Sequence, residues 1–167
     1  YGGYAAAAPN IAGLTEEFNG TSWSEQNDMP TALLKNGGGG TQTAAISSGG
    51  APPASNLTQF YDGTNWTTGP ATLLNTQQWH GYAGTQTANF IFGGSTNPDS
   101  NSSGVSQVYD GSSWATAPNL GTARSGFCQG GTQAAGLIAG GTSTEPSTRT
   151  TATEEFTGVT TSLNVKT

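Results

Sequence analysis

The side chains in this chain that could do chemistry are few, and their spacing is poor in catalytic arrangements. His80 is the one histidine and Cys128 the one cysteine in 167 residues. A metal site needing two or more imidazoles is therefore excluded within one chain. A serine–histidine–carboxylate relay would have to pass through His80, whose neighbours Trp79, Gly81 and Tyr82 read as a strand, and no serine stands in an activating context. Cys128, between Phe127 and Gln129 in a glycine-rich stretch, reads as a buried structural thiol. The carboxylate pairs Glu16-Glu17 and Glu154-Glu155 look like an acid–base couple until their setting is compared. Both open the same Thr-Glu-Glu-Phe phrase, so they fill equivalent repeat positions and read as structural edges.

Binding chemistry has better material. Trp79 and His80 stand together after a polar connection, and Arg124 stands in the corresponding connection further on. Asn97, Asp99 and Asn101 crowd one polar loop, and Arg149 lies in another. An aromatic ring with amide, carboxylate and guanidinium neighbours suits a sugar, whose ring stacks while its hydroxyls are hydrogen-bonded. These seven residues are the candidate ligand-binding set, with no catalytic residue, metal or cofactor expected. Asn-x-Ser/Thr triplets at Asn19, Asn56, Asn65 and Asn101 are weak signals in a chain so rich in these residues.

The elements that must position these groups come from internal repetition. Phe18-Asn19-Gly20-Thr21-Ser22-Trp23, Tyr61-Asp62-Gly63-Thr64-Asn65-Trp66 and Tyr109-Asp110-Gly111-Ser112-Ser113-Trp114 repeat an aromatic, an Asn/Asp-Gly turn and a Trp. The steps between aromatics are 43 and 48 residues, with 47 more to Phe156. A second phrase runs out of phase: Gly40-Thr41-Gln42-Thr43-Ala44, Gly84-Thr85-Gln86-Thr87-Ala88 and Gly131-Thr132-Gln133-Ala134-Ala135. Each leads to a glycine pair, at Gly49-Gly50, Gly93-Gly94 and Gly140-Gly141. Periods of this length mean stacked modules.

Trp79–Ala83 reads as a first strand, Gly84-Thr85-Gln86 as a tight turn and Thr87–Phe92 as a second strand. Val105–Tyr109 alternates as a third strand, and Asp110-Gly111 supplies positive-φ residues for a hairpin into a fourth around Trp114. The glycine-rich first strands (36–40, 80–84 and 126–131) suit a crowded position. No helical periodicity occurs. The fold class is all-β, built of four-stranded antiparallel sheets. Length variation concentrates in the second-to-third loops, 51–56, 95–104 and 142–151, which share an end with the fourth-to-first connections. That end is where recognition is expected.

The glycine pair closing the second strand, the Tyr or Phe ending the third and the Trp in the fourth resemble kelch repeats. So do the Pro-containing connections Met29-Pro30-Thr31-Ala32, Gly69-Pro70-Ala71-Thr72 and Ala117-Pro118-Asn119-Leu120, and the Arg of Gly121-Thr122-Ala123-Arg124. The resemblance implies kelch-type β-propeller blades: a partial blade over 1–34 and about three full ones over 35–78, 79–123 and 124–167. It also implies that Trp23, Trp66 and Trp114 wedge between neighbouring blades. Copper-radical oxidases of the galactose-oxidase type share that fold but need two His, two Tyr and a cross-linking Cys, which one His and one Cys cannot provide. Three to four blades leave open edges. The phase at Tyr1 suggests the C-terminal part of a longer polypeptide or a processed product, with the ring completed by earlier repeats in preference to assembled copies, and Thr161 in the place of a Trp suggests a terminal cap.

Four Lys and Arg against ten Asp and Glu give a net charge of −6, which argues against a nucleic-acid footprint, since four cations cannot form a basic stripe. No apolar run approaches membrane-span length. The Gly-Thr-Gln-Thr-Ala and Glu-Glu-Phe-Asn-Gly-Thr-Ser-Trp wording resembles kelch-like repeats of marine bacteriophage virion and tail-fibre proteins. That implies a virion-borne or extracellular, non-enzymatic structural or adhesive module. Its partners would be other copies or appendage subunits and a host-surface glycan or protein. The alternatives are an intracellular kelch-type interaction adaptor, or a non-catalytic portion of a polysaccharide-active enzyme.

Overall fold

Sheets exposing glycine-rich backbone on both faces must find cover, and here each sheet covers its neighbour. The computed structural model describes residues 2–4, 11–96, 101–144, 147–158 and 164–166, and every regular element among them is a strand. A short pair, β1 (Gly3–Tyr4) and β2 (Ile11–Ala12), precedes a two-stranded sheet of β3 (Thr15–Phe18) and β4 (Trp23–Gln26). A four-stranded antiparallel sheet follows: β5 (Gly37–Thr41), β6 (Ala44–Ser48), β7 (Thr58–Tyr61) and β8 (Trp66–Thr68), paired in chain order. The next has the same order, with β9 (Gly81–Gly84), β10 (Asn89–Phe92), β11 (Ser106–Tyr109) and β12 (Trp114–Ala117). The last is made of β13 (Cys128–Thr132), β14 (Ala135–Ala139), β17 (Thr153–Thr157) and β18 (Asn164–Lys166). A small hairpin, β15 (Thr142–Thr144) with β16 (Ser147–Arg149), interrupts it. That hairpin falls in a stretch read from sequence as plain loop.

The turns are built differently from the sequence reading. Gly20, Gly63 and Gly111 take φ of 95°, 94° and 97°, but the preceding Asn or Asp does not share the left-handed region. Instead the side chain of that residue accepts from the backbone. Asp110 Oδ1 takes the N–H groups of Ser112 and Ser113 at 2.8 Å each, and Asn19 and Asp62 do the same for their turns. These donors hold the Asp110 carboxyl down at about 2. The turn is thus an Asx-type turn, which fixes one residue in the left-handed region rather than two.

Neighbouring sheets pack through repeated contacts. The first strands β5, β9 and β13 lie side by side, close enough that a Cβ on Gly81 would stand 2.5 Å from the rings of Phe92 and Phe127. On the outer side, Trp66 Nε1 donates to Thr15 Oγ1 (2.8 Å) in the preceding sheet, and Trp114 Nε1 donates to Thr58 Oγ1 (2.9 Å). Trp66 and Trp114 are each 6% exposed, as expected of indoles wedged between sheets, whereas Trp23 is 67% exposed. Among the described residues only the short β1–β2 pair precedes β3–β4, and no four-stranded sheet stands there for Trp23 to enter. Tyr109 packs tilted against Phe60 (ring centroids 5.8 Å apart), and Phe156 stacks on Phe90 (4.3 Å).

The glutamine of each Gly-Thr-Gln turn completes the clasp. Gln86 Nε2 donates to the carbonyls of Tyr61 (2.7 Å) and Ala45 (2.9 Å), Gln133 Nε2 to those of Tyr109 (2.5 Å) and Asn89 (3.3 Å), and Gln42 Nε2 to that of Phe18 (3.3 Å). Each turn therefore reaches the backbone of the sheet before it.

The buried indoles set a stability contrast. Trp66→Ala or Trp114→Ala removes a buried ring and leaves a threonine hydroxyl without its donor, an expected cost of about 3–5 kcal/mol. Trp23→Ala should change the stability of the single chain by less than about 0.5 kcal/mol. Urea unfolding followed by far-UV circular dichroism measures both. Equal losses at Trp23 and Trp66 would contradict the wedge assignment.

Candidate functional site

The end of the sheets carrying the fourth-to-first connections is shaped by an irregularity repeated three times. The pairing of β5 with β6 resumes beyond the strands at Leu34 opposite Ala51, that of β9 with β10 at Gln78 opposite Ser95, and that of β13 with β14 at Ser125 opposite Thr142. Between strand and bridge, one side carries a glycine pair with both φ positive, and the other carries Lys35 (φ 63°), Trp79 (φ 52°) or Gly126 (φ 64°). The glycine pair admits the next connection. Gly50 N donates to Gln77 O (2.8 Å) and Gly94 N to Arg124 O (2.9 Å), and a Cβ on Gly93 would stand 2.9 Å from that Arg124 oxygen.

The seven sequence candidates separate here. Trp79 is 46% exposed, with Lys35 Nζ 4.2 Å from its ring centroid. Asn101 and Arg149 are exposed. Asn97 and Asp99 lie outside the described residues.

His80 and Arg124, expected on an accessible loop face, are buried instead. His80 rests over Gly37 and Gly49 of the preceding sheet, its Nε2 3.5 Å from Ser48 Oγ. Among the described residues its buried Nδ1 meets no close hydrogen-bond partner. Burial pushes the imidazole down to about 4, with the Gln77 backbone offsetting part of this. Cys128, expected to be buried, is exposed. It fills the position of Gly37 and Gly81, which His80 and Phe127 cover from the next sheet, and no described sheet follows to cover it.

Arg124 is fully buried and ion-paired with Glu154, and its Nη1 donates to the carbonyls of Ala152 (2.8 Å) and Gly140 (3.3 Å). Glu154 also accepts from Gly121 N at 2.7 Å. One sheet earlier a neutral pair does the same work. Gln107 Nε2 donates to Gln77 Oε1 (2.9 Å), while Gln77 Nε2 donates to the carbonyls of Gly93 (2.6 Å) and Val105 (3.0 Å). The guanidinium that looked like a ligand anchor is a connection pin.

What remains open is a shallow groove of about 240 Å³ lined by Lys35, Asn36, Trp79, His80, Tyr82, Gly126, Phe127 and Gln129. Tyr82 is 37% exposed. Asn101 and Arg149 do not line it. The groove thus offers three partly exposed aromatic rings (Trp79, Tyr82 and Phe127), two amides and an ammonium, with His80 only at its floor. Lys35, Tyr82 and Gln129 were not singled out from sequence. The recurring left-handed position, filled by Gly126 in one copy, is the signal that could have flagged Lys35 and Trp79.

A second cleft of about 430 Å³ lies between β3 and β5, with Glu17, Trp23, Tyr61 and Tyr82 among its walls. Its Glu17 accepts from the Tyr61 hydroxyl at 2.8 Å, and burial with that carboxylate raises the phenol to about 12. Among the described residues no group of three or more His, Cys, Asp or Glu side chains is placed to hold a metal ion. No family model matches the chain, and no curated protein matches it.

Two outcomes test these assignments. Arg124→Leu strands a buried Glu154 carboxylate and should cost about 3–5 kcal/mol, while the double change Arg124→Gln with Glu154→Gln, copying the Gln77–Gln107 pair, should recover most of it. A double-mutant cycle by chemical denaturation gives the answer. The histidine predicts a pH dependence. Its folded pKa near 4 lies below the unfolded value near 6.5, so the unfolded chain takes the proton first. Stability should be full above pH 6.5 and fall as pH drops toward 4, by about 3 kcal/mol attributable to this residue. His80→Asn, the residue found at the equivalent Asn36, should remove that difference between profiles.

Proposed function

We propose that this chain is part of a kelch-type β-propeller, about three full blades and a partial one, serving as a non-enzymatic structural and adhesive module of a virion, tail fibre or other extracellular appendage. Its ligand in this reading is a host-surface glycan taken up by the groove around Trp79. The propeller reading is supported by the face-to-face packing of successive four-stranded sheets with adjacent first strands. Placement on a virion or appendage draws on the wording shared with phage kelch-like repeats.

One observation carries the binding reading. Trp79 holds a bulky side chain at φ 52° while nearly half exposed, where the equivalent position in the next repeat is Gly126. A left-handed conformation costs an L-residue about 1–2 kcal/mol, and glycine would avoid it. The indole is not spent on the core, so the strain is repaid outside folding. Its neighbours suit a sugar: Tyr82 offers a second ring, Asn36 and Gln129 offer amides, and Lys35 donates to hydroxyls or acidic substituents.

Trp79→Gly separates folding from binding. The variant should stay within about 1 kcal/mol of the parent in stability, because strain relief offsets lost contacts. Glycan-array signal or titrated affinity should fall by at least about tenfold, the loss of one stacked aromatic. A variant that binds as the parent does would refute the groove.

A further inference from the structure

We propose that the two end faces of this chain are the two halves of one interface, and that a second copy of the chain docks on the first head to tail. The proposal stands on the sheet-to-sheet contacts alone, so it holds or fails separately from ring closure and from glycan binding.

The contacts within the chain supply the pattern. Each sheet has a rear face whose aromatic residues enter the sheet before it, and a front face that receives them. On the front face, Thr15 and Thr58 accept the indole N–H of the following sheet. Ile46 and Phe90, at matching positions of β6 and β10, lie under Tyr109 with Trp114 and under Phe156 respectively. Both are nearly inaccessible, at 1% and 2%.

The ends of the described chain carry the unmatched halves. At one end Trp23 is 67% exposed and Phe18 46%, although their counterparts Trp66 and Tyr61 are 6% and 2% exposed. The two rings already pack tilted against each other, with centroids 5.2 Å apart, as the buried pairs Tyr61–Trp66 and Tyr109–Trp114 do at 5.1 Å. At the other end Leu137 fills the position of Ile46 and Phe90 and is 42% exposed, and Thr153 fills the position of Thr15 and Thr58. A donor face therefore stands at one end and its receptor at the other. Such an interface is heterologous, so each added copy leaves one face of each kind open.

Sedimentation velocity from micromolar to sub-millimolar concentration tests this with Trp23→Asp, Leu137→Asp and their equimolar mixture. The parent chain should form dimers and longer species. Each variant alone should be monomeric, having one spoiled face. The mixture should give a one-to-one complex and nothing larger, because the two intact faces meet once. A parent chain that stays monomeric overturns the proposal, as does association that survives either substitution. A mixture that stays monomeric also overturns it, since the interface would then pair like faces. Near-UV circular dichroism checks the fold, and Trp23→Ser with Leu137→Ser replaces the pair if either Asp variant unfolds.

Discussion

Everything in this fold depends on how closely a connecting segment approaches the glycine pair of the preceding sheet. Gly50 and Gly94 donate their N–H groups to the carbonyls of Gln77 and Arg124, through space that a Cβ on the neighbouring glycine would invade. The approach puts His80 and Phe127 flat on the preceding sheet and sets the distance at which Trp114 meets Thr58. A backbone contact of this kind is short, directional and nearly independent of sequence. It lets one geometry recur while the side chains around it change.

The changes follow a rule. At the buried connection position the chain uses Leu33, Gln77 and Arg124, and on the facing third strand Gln59, Gln107 and Glu154. Gln77 finds Gln107, and Arg124 finds Glu154. Leu33 offers nothing polar, and there Gln59 turns to the Thr31 backbone, accepting from its N–H at 3.0 Å and donating to its carbonyl at 3.2 Å. In each case the buried side chain finds partners for most of its polar atoms, with Arg124 Nε left without one among the described residues, and such pairing is what makes burial between sheets tolerable. An apolar, an amide and an ionic solution are interchangeable because the backbone around them is the same.

The recurring phrases made the sheets legible, because strand pairing and turn chemistry are local. Aromatic–Asn/Asp–Gly–Trp and the glycine pairs located the third and fourth strands and the ends of the second. Accessibility was less legible, because it is decided by neighbouring sheets. Arg124 and Glu154 are thirty residues apart, so an ion pair between them had no local trace, and a lone arginine in a polar connection read as a ligand anchor. Cys128 was misread for the complementary reason: its cover would be a further sheet, and none is described. The turn glutamines were legible in principle. Gln42, Gln86 and Gln133 recur where the turn itself asks only for glycine and a hydroxyl, so a residue kept there has work elsewhere, in this case the carbonyls of the preceding sheet.

The same logic gives the functional reading its footing. A position that needs the left-handed region is best filled by glycine, and Gly126 fills it so. Lys35 and Trp79 fill the other two copies and lie against each other, cation over ring, at 4.2 Å. That contact spans two successive connections, yet it is half exposed and far too weak to offset two strained backbones. Stability therefore does not account for the choice of residues at this end of the sheets. A surface set against local backbone preference, on a scaffold whose sheet-to-sheet contacts recur without it, is what the proposed groove around Trp79 rests on.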